Sequence, residues 1–373
     1  TGLLLLFEKE NKTMMTNVAN KTYIMKGDSK NRALDRFHLI LAPSYACNLS
    51  CQHCYLPSHS NKGLDYSAVR KIMTEWSEIV KLERGRMNGI LHLKGGEPLA
   101  LPYLYDIFDF LKEEKTCSLM ITTNGTLGNE NFFSEIKKLD EKLDSSTVVI
   151  VSLDGSLDEI HGLLRGEGNF YKTVDFIKNL TDRDITVHVN YVVHKKNLSD
   201  LENFINLAMS LGVSQINFLK FIPKGFGQSI EEWAVDTALY NQRMEELYET
   251  ASSEIKELLS GNLGYIIDQE KCGTCISREC VGGYKGLFYI LPNGDVFSCP
   301  NLTDSELRLG NVKTDALYDL HENSVNRIYS KIRLYKSAAY LCKGEVLKQP
   351  YVHTEYELDD YKDGISYCYS RNF

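Results

Sequence analysis

From Phe37 onward, short apolar runs alternate along the chain with amphipathic stretches. The runs Phe37–Ala42, Gly89–Leu93, Leu119–Thr122, Val148–Leu153, Thr186–Val193 and Gln215–Phe221 have the length and residue types of strands. Between them, Ser67–Glu83, Leu101–Glu114, Glu130–Leu139, Phe170–Leu180 and Leu198–Leu211 repeat their apolar positions at helical spacing. Strict alternation of strand and helix implies right-handed crossovers and a parallel sheet. Six strands are too few for a closed eight-unit barrel, so the pattern predicts an α/β fold built on a partial (β/α)6 barrel. Sites in parallel sheets lie at the carboxyl ends of the strands.

The flanking segments read differently. Residues 1–36 are polar and weakly periodic, fitting either a hairpin (Leu3–Phe7 with Thr22–Met25) or a disordered lead-in. The barrel spans 37–228, and a helical linker, densest over Ser229–Ser260, covers 229–270. From 271 to 373 the texture turns to cysteine and glycine, with a hairpin at Phe288–Leu291 and Val296–Cys299 around Pro292-Asn293-Gly294-Asp295.

Composition narrows the function more than the fold. The chain has 373 residues, 42 basic against 50 acidic side chains and a net charge of -8, with no basic block to track a phosphate backbone. Nucleic acid is therefore not an expected partner. Leu3–Phe7 is too short to span a membrane and lacks the flanks of a signal peptide, so the expectation is a cytoplasmic protein without a membrane partner. Ten cysteines in closely spaced sets point to metal in a reducing compartment, not to a disulfide framework.

The first set, Cys47-Asn-Leu-Ser-Cys51-Gln-His-Cys54, follows the first strand. Three thiolates this close can share one iron–sulfur cluster, which normally takes four ligands, and this leaves one iron open. Zinc is the alternative, although zinc sites usually pair two Cys-x-x-Cys knuckles or recruit histidine. The second set, Cys272, Cys275 and Cys280 with Cys299 brought back by the hairpin, can supply four thiolates to a further cluster or to a structural zinc, with Cys342 and Cys368 beyond it. Cys117, at the start of a strand, reads as a small core residue.

Cys47-x3-Cys51-x2-Cys54 followed by Tyr55, with Gly95-Gly96-Glu97-Pro98 after the second strand, resembles the radical S-adenosylmethionine superfamily. The resemblance implies a 4Fe-4S cluster on the three cysteines. Its open iron would hold S-adenosylmethionine, which is cleaved to a 5'-deoxyadenosyl radical. The Gly95–Pro98 segment would bind the methionyl amino group. The family also places polar groups against this ligand where Asn124, Ser152, Asp154, Arg165 and Asn190 stand, although Asn-Gly and Asp-Gly are equally common turn dipeptides. His161 sits in Asp158-Glu-Ile-His161, a segment similar to one recurring in this subgroup, and also reads as a structural histidine near a helix start.

Cys280, thirteen intervening residues, Gly294, four residues and Cys299 is similar to the opening of the SPASM extension, which carries auxiliary iron–sulfur clusters in peptide- and protein-modifying radical enzymes. The dense cysteine array that should follow is missing, so one auxiliary cluster, as in twitch variants, is as consistent as two. By resemblance the expected activity is hydrogen abstraction from a residue of a peptide or protein, as in maturation of ribosomal peptide natural products. The partners implied are a separate leader-peptide recognition protein and a reductant such as flavodoxin or ferredoxin. The alternatives are a small-molecule radical dehydrogenase, a sulfatase-maturase-like enzyme and a non-catalytic iron–sulfur or zinc protein. Epimerisation, with Cys342 or Cys368 as hydrogen donor, is a further variant.

Overall fold

The computed structural model describes residues 36–82, 88–115, 117–143, 147–259, 286–298, 300, 303 and 305–323. All of them belong to one compact unit, 31–373. The N-terminal hairpin and residues Cys272, Cys275, Cys280, Cys299, Cys342 and Cys368 lie outside the described residues.

Six parallel strands alternate with helices in the order the sequence implies. They are β1 (Arg36–Leu41), β2 (Asn88–Leu93), β3 (Cys117–Thr123), β4 (Val148–Ser152), β5 (Thr186–Val193) and β6 (Gln215–Lys220). The helices are α1 (Tyr66–Leu82), α2 (Leu104–Glu114), α3 (Glu130–Lys142), α4 (Asp158–Arg165), α5 (Asn169–Thr181) and α6 (Leu201–Ser210). A 3-10 segment (Gly225–Trp233), α7 (Thr237–Thr250) and α8 (Ser253–Leu258) occupy the stretch read as one long helix. Ala251 ends α7 in extended backbone, and the Ser252 hydroxyl caps α8 by accepting from the Ile255 N–H.

One face of the sheet makes the core. Leu39, Leu41, Leu91, Leu93, Leu119, Ile121, Val149, Val151, Val187 and Val189 pack with Trp76, Phe108, Phe132 and Phe204 of the helices. The opposite face carries the alternate residues. These form two small apolar clusters, around Ile40 and Tyr289 and around Ile90 and Ile150, beside buried polar groups such as His92, Ser152 and Asn217.

The sequence places the hairpin near 288–299 in a separate domain, whereas the strands formed there continue the barrel sheet. β7 (Leu287–Ile290) pairs in parallel with β1, followed by antiparallel β8 (Asp295–Phe297) and β9 (Gly310–Asn311). The sheet order is β6-β5-β4-β3-β2-β1-β7-β8-β9. A last helix, α9 (Leu317–Asn323), sets His321 against Phe37 of β1 at 5.1 Å between ring centroids. Among the described residues, no helix is long and apolar enough to cross a membrane.

Candidate active site

Beyond its last residue, β1 keeps its partners. The Lys94 N–H donates to the Leu41 carbonyl, Gly96 to Ser44 and Glu97 to Ala46, at 2.9, 2.9 and 2.8 Å. This continued pairing explains the two glycines. Gly95 sits at φ +129, and a Cβ on Gly96 would overlap the Ala46 carbonyl oxygen. The motif is thus a close backbone contact that fixes the start of the cysteine loop. The loop is held further by the Gln52 N–H on the Leu164 carbonyl (2.9 Å) and the Cys54 N–H on the Cys51 carbonyl (3.2 Å).

Cys47, Cys51 and Cys54 line one cavity of about 130 Å³ at the carboxyl ends of β1 to β4. Tyr55, Gly95, Gly96, Glu97, Asn124, Ser152 and Arg165 line it with them. Burial pushes the Cys47 thiol up to about 11, with the charges of Glu97, Cys51 and Cys54 adding to the rise and the Leu49 N–H opposing it. Burial also raises Cys51 and Cys54, against the pull of the Arg165 guanidinium. Free thiols here stay protonated near neutrality, so a thiophilic metal centre must displace those protons as it binds. Three soft donors around a cavity, with oxygen and nitrogen groups on the far wall, fit a thiolate-bound cluster with one open side.

The far wall is built on Glu97, which is 2% exposed. Its carboxylate accepts from the Thr123 hydroxyl (2.6 Å), the Asn124 N–H (2.8 Å) and the Leu99 N–H (2.9 Å). Burial raises its pKa and these three donors pull the other way, leaving a net rise. Asn124 turns its amide to Asn48 Oδ1 (3.0 Å) and lies 3.9 Å from Cys47 Sγ. Glu97 therefore ties β2 to β3, and through Asn124 to the cysteine loop.

Arg165 ends α4 and reaches back over the loop. Its Nε donates to Asp154 Oδ2, its Nη2 lies 3.3 Å from His53 Nε2 and its Nη1 3.8 Å from Cys51 Sγ. Asp154 is fully buried and also accepts from the Val192 N–H at 2.7 Å. Burial, the largest single effect, would raise the Asp154 pKa, but the Arg165 charge together with His53, His161 and the Val192 N–H outweighs it and holds the carboxyl below its ordinary range. His53 and His161 are kept neutral, pushed down to about 3 and about 4, by burial first and by Arg165 second.

Not every residue singled out in the sequence reaches the cavity wall. Asp154 stands behind Arg165, and Pro98 opens a 3-10 turn over 98–100. The Asn190 side chain accepts from Asn217 Nδ2 (2.9 Å), and Asn217 Oδ1 in turn accepts from Gln215 Nε2 (2.6 Å). His161 Nδ1 accepts from the Asp154 N–H at 3.1 Å, and Cys117 is a core residue at 2% exposure. Of the polar wall residues, His53, His59, Lys94 and Thr122 were not singled out. Lys94 and Thr122 had a usable signal, being the last inward positions at the ends of β2 and β3.

Residues 41–208 match the family model of the radical SAM superfamily. The chain is 25% identical over 278 residues to mycofactocin maturase MftC of Mycobacterium ulcerans, covering 74% of this chain and 71% of that protein. It is 28% identical over 283 residues to the antilisterial bacteriocin subtilosin biosynthesis protein AlbA of Bacillus subtilis, covering 75% of this chain and 58% of that one. The crystal structure of Streptococcus suis SuiB bound to precursor peptide SuiA superposes with a TM-score of 0.62 at 15% identity, over 88% of this chain and 78% of that chain. This last likeness is one of fold. The family uses S-adenosylmethionine and a 4Fe-4S cluster, the two groups to which three thiols on one wall and buried polar side chains on the other are suited. By the match over 41–208, this part of the chain is a radical SAM superfamily domain, and the relatives above are similar to it.

Proposed function

We propose that this chain modifies a residue of a peptide substrate by hydrogen abstraction, as a ribosomal peptide maturase does. The observation that carries the reading is the convergence of Cys47, Cys51 and Cys54 with Gly95, Gly96 and Glu97 on one cavity. The relatives, a mycofactocin maturase, a subtilosin biosynthesis protein and a structure holding a precursor peptide, support a peptide as substrate.

In this reading the three cysteines ligate the cluster, and the Gly95–Glu97 edge with its buried carboxylate receives the methionyl ammonium of S-adenosylmethionine. Arg165 and Ser152 face its carboxylate. When bound, these groups supply a 5'-deoxyadenosyl radical formed by one-electron cleavage of S-adenosylmethionine. The buried wall keeps water from the reacting centre, and the Asp154–Arg165 pair fixes the guanidinium. Cys272, Cys275, Cys280 and Cys299, with Cys342, hold an auxiliary cluster, and a flavodoxin or ferredoxin supplies the electron. A separate protein presents the leader of the substrate.

Anaerobic reconstitution tests the reading. The wild type should release 5'-deoxyadenosine from S-adenosylmethionine with dithionite and shift the mass of a precursor peptide. Replacing Cys47, Cys51 and Cys54 with alanine should remove roughly four iron atoms per chain and all cleavage. Unchanged iron in that variant, or continued cleavage, would sink the assignment.

A further inference from the structure

Cys54 is also gripped by a segment that the sequence did not connect with it. The Phe226 N–H donates to the Cys54 carbonyl at 2.8 Å. Gly225 sits at φ +56, and a Cβ there would come within 2.6 Å of the Tyr55 carbonyl group and 2.7 Å of the Cys54 oxygen. The 3-10 segment after β6 therefore lies directly on the cysteine loop. The Phe226 ring packs on the His59 imidazole, with 5.0 Å between centroids. His59 in turn places Nε2 3.3 Å from Cys54 Sγ. One residue thus holds the backbone of Cys54 and also supports the ring that touches its sulfur.

Resting on the reading above, we propose that His59 donates an Nε2–H hydrogen bond to the Cys54 thiolate and raises the reduction potential of the cluster, and that Phe226 positions it to do so. A donor aimed at a ligand sulfur stabilises the reduced state, which carries one more negative charge, relative to the oxidised state. Tyr55 and Phe226 are 42% and 45% exposed, so this side of the loop is open to water. The ring packing on Phe226 keeps the imidazole on the sulfur there. His59 and Phe226 are positioning residues, acting on the cluster through Cys54.

The test is an anaerobic redox titration of the reconstituted full chain by electron paramagnetic resonance. It follows the signal that the Cys47/Cys51/Cys54 alanine variant lacks. His59→Phe keeps an aromatic ring against Phe226 and removes the donor, so its midpoint should move negative by about a tenfold change in the equilibrium, 59 mV for one electron. Its iron content should match the wild type. His59→Gln restores a donor and should recover most of the shift, while Phe226→Leu should give a smaller negative shift with His59 intact. An unmoved midpoint in fully loaded His59→Phe overturns the proposal, as does a His59→Gln midpoint displaced as far as that of His59→Phe. Should His59→Phe not load, an unmoved midpoint in Phe226→Leu overturns it instead. A wild type with no signal beyond that of the triple variant would refute the cluster assignment itself, a separate result.

Discussion

Replacing Asp154 with asparagine tests the electrostatics of the site without touching a thiol. The side chains of Asp154 and Arg165 are 0% and 10% exposed, so the pair is desolvated and solvent screening is slight. The substituted amide would retain an oxygen for the Val192 N–H but leave the Arg165 charge buried without its partner. Breaking a buried ion pair from one side costs about 3–5 kcal/mol. Asp154→Asn should therefore lower the unfolding free energy of the iron-free chain by about that amount at neutral pH, read as a lower urea midpoint at unchanged slope. The pH dependence follows from the direction of the shift. Asp154 binds its proton less readily in the folded chain than in the unfolded one, so its contribution is complete above the ordinary carboxylate range. It is lost as pH falls through the depressed folded value, and the gap between wild type and variant should close in that window. Converting Arg165 to methionine in the same background should recover most of the loss, since no charge is then stranded. A neutral-pH loss under about 1 kcal/mol, or a gap that persists into acid, would refute the buried-pair argument.

Two further substitutions probe the walls. Glu97→Gln trades a carboxylate accepting three bonds for an amide with one acceptor, which strands a buried donor at about 1–3 kcal/mol. Affinity for S-adenosylmethionine by calorimetry should fall about tenfold while iron content holds; lost iron with intact affinity would reverse the role given to Glu97. Gly225→Ala imposes left-handed strain and a backbone overlap together worth about 2–5 kcal/mol. It should lower both the melting temperature and the iron retained at the cysteine loop, and an unchanged melt would show that the 3-10 segment yields freely.

Periodicity located the six barrel strands to within a residue or two, because each carries a run of apolar residues toward the helix-side core and is bounded by turn residues. It missed α4, whose eight residues include Gly162 and are too few for a helical period to show. It also put the 287–297 hairpin in a separate domain. The signal for the contrary was present: Leu287-Phe-Tyr-Ile290 is a continuous apolar run, the mark of a strand buried on both faces. In the structure, Phe288 and Ile290 join the helix-side core while Leu287 and Tyr289 pack on the other face. At the site, the cysteines and Gly95–Glu97 were legible as motifs, whereas Arg165 and Ser152 came only from the family resemblance. That Asp154 and Arg165 form one unit was not, because their contact depends on how α4 folds back over the end of β4.

The same limit explains why the environment of Cys54 escaped the sequence. Cys47 and Cys51 are secured by neighbours near the recognisable motifs: Asn124 approaches the first sulfur, and Arg165 the second. Cys54 depends on His59, five residues downstream, and on Phe226, brought from beyond β6. Neither position shows a periodicity, and a phenylalanine flanked by glycines reads as an ordinary turn. What singles out Gly225 and Phe226 is a requirement of close approach, which spacing does not encode. The glycine lets the 3-10 segment reach the Cys54 and Tyr55 backbone, and that contact delivers the Phe226 N–H to the Cys54 carbonyl. Gly96 does the same at the other end of the loop, against Ala46. The cysteine loop is thus fixed between two glycine contacts, one contributed by the recognised motif and one by the connection after β6. Any motion of that connection reaches the third thiol through a hydrogen bond and a ring contact.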